Sequence, residues 1–366
     1  MIYPIVFIAS SLSLAASIYF EDRSNKLLKV FFLCLAVFIP SVLGGLRSEY
    51  VGTDNQPYKL AFLEVAGISS FSDFLTLELG VEFLYGLLEF LISRFTTDYH
   101  WLCFATELIT MIFITAGIKN FKDHIPVGIG MLIYLFCYYC NMLNLVRQGI
   151  SLAICFYALK YAIEKHWAKY CFFVLCAALF HSSAYVALLI IVIVKLVSRA
   201  KNIRIMIGLI LVLMFGLSFV PKLLELFVPY GIFPEKYLTY ITSEVTFSLK
   251  HTVYRLPVLL LATIFYKRIA EIDDYYRCFY AMLWGEMIFA QMASVLDSAY
   301  RISLYFGYSS IVILPMFKWA FKNNKDNKIC VYTLIFIYVV LYWVYFCVFN
   351  NFGFRNPTYP FESDII

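Results

Sequence analysis

The stretch GLRSEYVGTDNQPYKLAF, Gly45–Phe62, begins where an apolar run stops. Residues 2–20 and 30–46 ahead of it are almost wholly apolar, and each approaches the roughly 20 residues a helix needs to cross a bilayer. A chain that leaves such runs into Arg47, Glu49, Asp54 and Tyr58 is turning at a membrane surface. Asp54 and Tyr58 are four residues apart, so a helix starting near Asn55 places both on one side, with Asp54 at its N-cap. A plain interfacial loop followed by an amphipathic helix fits the same spacing.

Composition extends this reading to the whole chain. It is 62% hydrophobic and 14% charged, too little charge for a soluble domain. Apolar runs recur at residues 2–20, 30–46, 101–118, 125–143, 146–163, 170–181, 182–197, 205–220, 253–268, 277–296, 302–318 and 329–349. The expected fold is an all-α polytopic membrane protein of about 11–13 transmembrane helices, forming one domain over residues 1–366. Residues 47–100 and 221–252 are its expected exterior segments. Segment 81–100 carries Glu82, Glu89 and Arg94, which suits an interfacial or re-entrant helix better than a lipid-facing span. Most of the ten cysteines lie inside apolar runs, where Cys137 and Cys140, an i, i+3 pair on one helix, read as packing, and no Cys/His spacing resembles a zinc site. The first run lacks a basic segment before it and has Arg23, Lys26 and Lys29 after it. That polarity predicts an uncleaved first helix with its N-terminus outside.

Charge parity orders the loops. Residues 170–197 have lysines before them and Lys195, Arg199, Lys201 and Arg204 after them. A hairpin with His181-Ser182-Ser183 at its tip keeps both clusters inside, and one long tilted helix is the alternative. With the hairpin, nineteen of the 29 basic residues fall on the cytoplasmic side, fourteen of them lysine. The exterior keeps ten, six of them arginine. Arginine is the better fork for phosphate or carboxylate, so the exterior face suggests an anionic ligand. The net charge of +5 is topological and carries no nucleic-acid signal.

Four groups gather at exterior ends of spans. Asn144, Arg147 and Gln148 are at i, i+3, i+4, with Ser151 a turn on. Asp297, Arg301 and Tyr305 repeat at i, i+4, i+8, and Glu82, Tyr85 and Glu89 share a face. His181 with its two serines is the fourth. Snorkelling arginines, a structural ion pair and a core histidine are the plain alternatives. Glu107 and Glu286 lie inside apolar runs, where a carboxylate is costly. No P-loop, GxGxxG, HExxH or GxSxG occurs.

The motifs GLRSEYVGTDNQPY, VEFLY, NLVRQGISLAICFYALKY, FHSSAYVALLI, YRISLYFGYSSIVILP and NPTYPF, in that order along nearly the whole chain, resemble the EpsG-like family of Wzy-type repeat-unit polymerases. VEFLY departs from the family's E-P-x-Y form, with Phe83 in place of proline. The resemblance implies a glycosyltransferase of the bacterial inner membrane, similar in architecture to GT-C-type enzymes, with its site facing the periplasm. It implies a glycan on undecaprenyl pyrophosphate as donor and a lipid-linked repeat unit as acceptor, with no cofactor or metal. Lipopolysaccharide or exopolysaccharide synthesis is the implied setting, with a chain-length regulator and a flippase as partners besides membrane lipid. Arg147 and Arg301, then Arg47, are the expected pyrophosphate ligands; Asp54 and His181 are alternative bases. Tyr58, Glu82, Asn144, Gln148 and Tyr305 are expected to bind substrate. A flippase or transporter of lipid-linked oligosaccharide and an O-antigen-ligase-type transferase are the rival readings.

Overall fold

The computed structural model describes residues 2–76, 80–199, 252–292, 299–321, 325–349 and 358–365, with positions 208, 222, 226 and 228 between them. Nearly all of the expected span 205–220 and of the exterior segment 221–252, and Asp297, lie outside the described residues. Every regular element among those described is helical, and five helices are long and apolar enough to cross a membrane, or six if one bent pair is a single span. The protein is an all-α, multi-pass membrane protein. Two compact units divide it: residues 1–185 with 324–366, and residues 186–323.

In the first unit, α1 (Ile2–Asp22), α2 (Lys26–Gly45), α3 (Asn55–Ala66), α4 (Phe71–Thr76), α5 (Phe83–Ser93), α6 (Tyr99–Asn120), α7 (Val127–Asn144), α8 (Val146–Ile163) and α9 (Trp167–Ala178) are joined by a last long helix, Lys325–Trp343. Without water in a bilayer core, each backbone group must be satisfied within the protein. Pro40 inside α2 has no N–H, which orphans the Ala36 carbonyl one turn back. Ser10 Oγ of α1 donates to that carbonyl at 2.6 Å. Small residues allow the close crossings. A Cβ on Gly44 would lie 2.7 Å from Glu107 Cγ of α6, and one on Gly117 would lie 2.6 Å from a Phe156 ring carbon of α8.

The two ends of this unit differ in chemistry. At one end Glu21 takes Lys29 at 3.0 Å and Lys122 at 2.8 Å, closing the ends of α1, α2 and α6 with lysines. At the other, Tyr3 Oη donates to the Thr358 carbonyl at 2.6 Å and Ser48 N–H to the Glu362 carbonyl at 2.8 Å. Tyr359 and Phe361 of the NPTYPF motif pack edge-on against Trp343 and Tyr3. The Arg47 loop lies at this second end.

The second unit holds α10 (Leu189–Arg199), α11 (Leu256–Ile264), α12 (Tyr266–Ala270), α13 (Tyr275–Met292), α14 (Ala299–Gly307) and α15 (Ser310–Met316). Buried along most of its length, α13 is tied to α11 by Tyr276 Oη donating to the Ala262 carbonyl at 2.9 Å. The chain bends by 42° between Ala299–Gly307 and Ser310–Phe321.

Candidate functional site at the arginine end of the first unit

The opening loop is built around Asn55 and Asn144. Asp54 is the N-cap of α3, in agreement with the sequence reading. Its side chain makes no capping hydrogen bond; Oδ1 instead accepts from Thr53 Oγ1 at 3.1 Å. Asn144 Oδ1 does the anchoring, accepting the Asp54 N–H at 3.0 Å and Thr53 Oγ1 at 3.3 Å. Gly52 must be glycine here. Its φ is +109°, and a Cβ would lie 2.9 Å from both Asn144 Oδ1 and Asn55 Nδ2.

Arg47 is only 1% exposed and faces inward. Nη1 donates to the Gly44 carbonyl at 2.8 Å and Nη2 to Asn55 Oδ1 at 3.3 Å, while Asn55 Nδ2 donates to the Val51 carbonyl. Tyr99 Oη adds a bond to Asn55 Oδ1 at 3.3 Å. The guanidinium therefore ties the end of α2 to the start of α3 and holds the loop in shape.

Arg147, at the first turn of α8, sits in a cage. Nη1 donates to Glu82 Oε2 at 2.7 Å and Nε to Tyr58 Oη at 3.4 Å. The guanidinium carbon lies 5.6 Å from the Tyr58 ring and 5.9 Å from the Tyr85 ring, a cation–π arrangement on two faces. Nη2 makes no hydrogen bond among the described residues, and the side chain keeps 21% of its exposure. Glu82 is the N-cap of α5, and its other oxygen accepts the Ser182 N–H at 2.8 Å. Burial raises the Glu82 carboxyl, but the Ser182 N–H and the Arg147 charge outweigh it and hold it below the usual range. The departure from E-P-x-Y is at the first helical position, where proline is pre-organised for a helix start. Phe83 fills that position, and Glu82 keeps its place before it.

His181 lies in the turn that Glu82 clamps. The apolar run 170–197 is broken at its middle: α9 ends at Ala178, and a 3-10 turn, Ser182–Leu188, follows His181 before α10. A single long helix is excluded. The Leu84 N–H bonds the Leu179 carbonyl at 2.9 Å, so α5 is fastened to this turn by backbone and side chain together. His181 Nδ1 is 2.7 Å from Ser183 Oγ.

One spacing argument needs correction. Asn144, Arg147 and Gln148 do not share a helix, because the backbone breaks at Leu145 (φ −89°, ψ 52°) between α7 and α8. The break sends Asn144 to the Asp54 loop and Arg147 to Glu82, while Gln148 is buried. Arg301 and Tyr305 belong to the second unit: Arg301 Nε bonds Tyr300 Oη at 3.2 Å, and Tyr305 is buried in α14. That unit also holds a feature the sequence marked only by its cost. Glu286 pairs with Arg255, Nε to Oε1 at 2.7 Å, both about nine-tenths buried, with Ser303 Oγ 3.5 Å from Nη2. An acidic residue in an apolar run was the available signal; the partner was not readable.

The fold and this cluster define a multi-pass helical membrane protein with an arginine, carboxylates and a histidine at one end of a helical unit. Residues 5–363, nearly the whole chain, match the EpsG family, and the chain belongs to that family. No curated protein and no solved structure matches it. Membership supports a membrane polysaccharide polymerase-like role of the glycosyltransferase kind.

Proposed function

We propose that the protein polymerises undecaprenyl-pyrophosphate-linked oligosaccharide units in the bacterial inner membrane, with the arginine end of the first unit facing the periplasm. A hydroxyl at the non-reducing end of a new unit attacks the anomeric carbon of the growing glycan. Its proton passes to a base, the anomeric C–O bond breaks, and the electron pair leaves with the lipid diphosphate. The Arg147 cage carries this reading. Its guanidinium is held on three sides by Glu82, Tyr58 and Tyr85, with Nη2 left for a phosphoryl oxygen. A pre-positioned cation lowers the cost of charge on a leaving diphosphate without reorganisation during the reaction. The tyrosine faces suit sugar rings. Asp54, whose carboxylate does not cap α3, is suited to accept the hydroxyl proton. In the second unit, Arg301 and Tyr305 are proposed by themselves as contacts for phosphate or sugar oxygens; Arg47 and Asn144 shape the loop that carries Asp54.

Deletion in the native host, with surface polysaccharide resolved on a gel, tests the reading. The deletion, Arg147→Ala and Arg301→Ala should each leave a lipid core bearing one repeat unit, at unchanged protein level for the variants. Loss of all surface units would indicate a flippase, and accumulation of lipid-linked polymer a ligase.

A further inference from the structure

The loop from Arg47 to Asp54 is fastened to α2 through Arg47, to α3 through Asn55 and to the end of α7 through Asn144. A fourth hold comes from the far end of the chain. Ser48 N–H donates to the Glu362 carbonyl at 2.8 Å, and with Ser48 only 1% exposed this acceptor keeps a buried amide from being stranded. From there the bonds run on through the loop. Val51 N–H donates to the Ser48 carbonyl at 3.0 Å, and the Val51 carbonyl takes Asn55 Nδ2. Asn55 follows Asp54 directly, so the run ends beside the proposed base. One turn into α3, Lys59 is held protonated chiefly by Glu49 Oε2 at 2.8 Å, and Asp364 of the terminal segment adds to that charge.

The terminal segment has its own seat. Tyr3 Oη donates to the Thr358 carbonyl at 2.6 Å, the Tyr359 ring meets Trp343 edge-on at 5.8 Å, and the Phe361 ring stands at 90° to Tyr3 at 5.7 Å. Tyr3 belongs to α1 and Trp343 to the last long helix, both long and apolar enough to cross a membrane. Residues 358–362 therefore carry the rigidity of two spans to a loop that has no helix of its own. We propose that Phe361 and Glu362 are positioning residues of the site: Phe361 seats the terminal segment on Tyr3, and the Glu362 carbonyl fixes the loop so that Asp54 stands where the acceptor hydroxyl arrives. The inference rests on the polymerase reading for what Asp54 does there. Neither residue acts on the substrate itself.

Two truncations test this. A chain ending at Asp364 keeps both residues and should form polymer as the full chain does. A chain ending at Pro360 keeps Thr358 and Tyr359 on their partners but loses Phe361 and Glu362. Its polymer, read from the gel ladder at matched protein level, should fall by about a hundredfold, the scale of a small misplacement of a reacting group. Hydrogen exchange of the purified proteins, followed by mass spectrometry, supplies the readout that a general loss of stability would not give. Ser48 and Val51 amides should exchange faster in the chain ending at Pro360, while α1, α2 and α6 keep their rates. Polymer loss without faster loop exchange, faster loop exchange with full polymer, or no change in either would overturn the assignment. Should exchange rise through the helices as well, Phe361→Ala, which retains every backbone group, decides by the same pair of readouts, with a smaller loss of polymer and faster exchange confined to the loop as the expected result. A deletion strain with normal polysaccharide would instead sink the polymerase reading and leave the exchange result standing.

Discussion

Arg147 Nη1 donates to Glu82 Oε2 at 2.7 Å across 65 residues of sequence, and the other oxygen of that carboxylate holds the backbone of Ser182. One side chain thereby fixes both the proposed phosphate-binding arginine and the turn that carries His181. Glu82→Ala should remove two charge-assisted hydrogen bonds, each worth about 1.5–3 kcal/mol. Polymer formation should fall more than tenfold, while Glu82→Gln, which keeps an acceptor oxygen, should fall less. The gel ladder measured at matched protein level checks this, and equal activity of Glu82→Ala and wild type would remove Glu82 from the site.

Asp54→Asn separates a structural cap from a chemical base. Because the carboxylate makes no bond to the first turn of α3, its neutralisation should leave the melting temperature in detergent within about a degree of wild type, in the range of ordinary surface changes. Polymerisation should fall by about 10²–10⁴-fold, the usual contribution of a general base. A destabilised variant with proportionate activity would instead mark Asp54 as structural.

Arg255 and Glu286 form a pair about nine-tenths buried, so the two single variants should behave unlike the double one. Arg255→Met alone strands a buried carboxylate and should cost about 3–5 kcal/mol, whereas Arg255→Met with Glu286→Met should recover most of that. Thermal unfolding of the purified protein measures the difference. An additive double variant would show that the two do not interact.

Glu89 supplies a pH test. It lies in α5, which at 11 residues is about 16 Å long and too short to cross a bilayer. Fully buried and with neither oxygen hydrogen-bonded among the described residues, its carboxyl is pushed by burial up to about 8, with Arg147 opposing only in part. Its ordinary value is 4.5, so between pH 4.5 and about 8 the unfolded chain has lost this proton and the folded protein has kept it. Stability therefore falls as pH rises through that window and levels off above it. Glu89→Gln carries no such proton. Relative to wild type it should gain stability from pH 5 to 8, by up to a few kcal/mol at about 1.4 per pH unit. A pH-independent difference would contradict the buried neutral carboxyl.

Some of the site was readable from spacing alone. Asp54 as N-cap and Tyr58 one turn on follow from a polar segment entering a helix, and both are found so. The charge contrast between loops reappears as the lysine end around Glu21 and the arginine end around Arg147. The stripe through Asn144 and Arg147 failed because the break at Leu145 falls between two apolar runs, with no glycine or proline at the break itself to announce it. Arg47, read as a ligand, is a buried tie between α2 and α3, since nothing in its neighbours signals that Gly44 and Asn55 lie within reach.

The sequence by itself determined the class: a helical membrane protein of the EpsG family, because apolar run length and motif order are properties of the linear chain. Only the tertiary structure decided which carboxylate meets which arginine, and that Glu82 also clamps the turn carrying His181. The two arginine pairings span 65 and 31 residues, and the clamp of Glu82 on Ser182 spans 100. Helical periodicity constrains neighbours three or four residues apart and says nothing about partners brought together by packing.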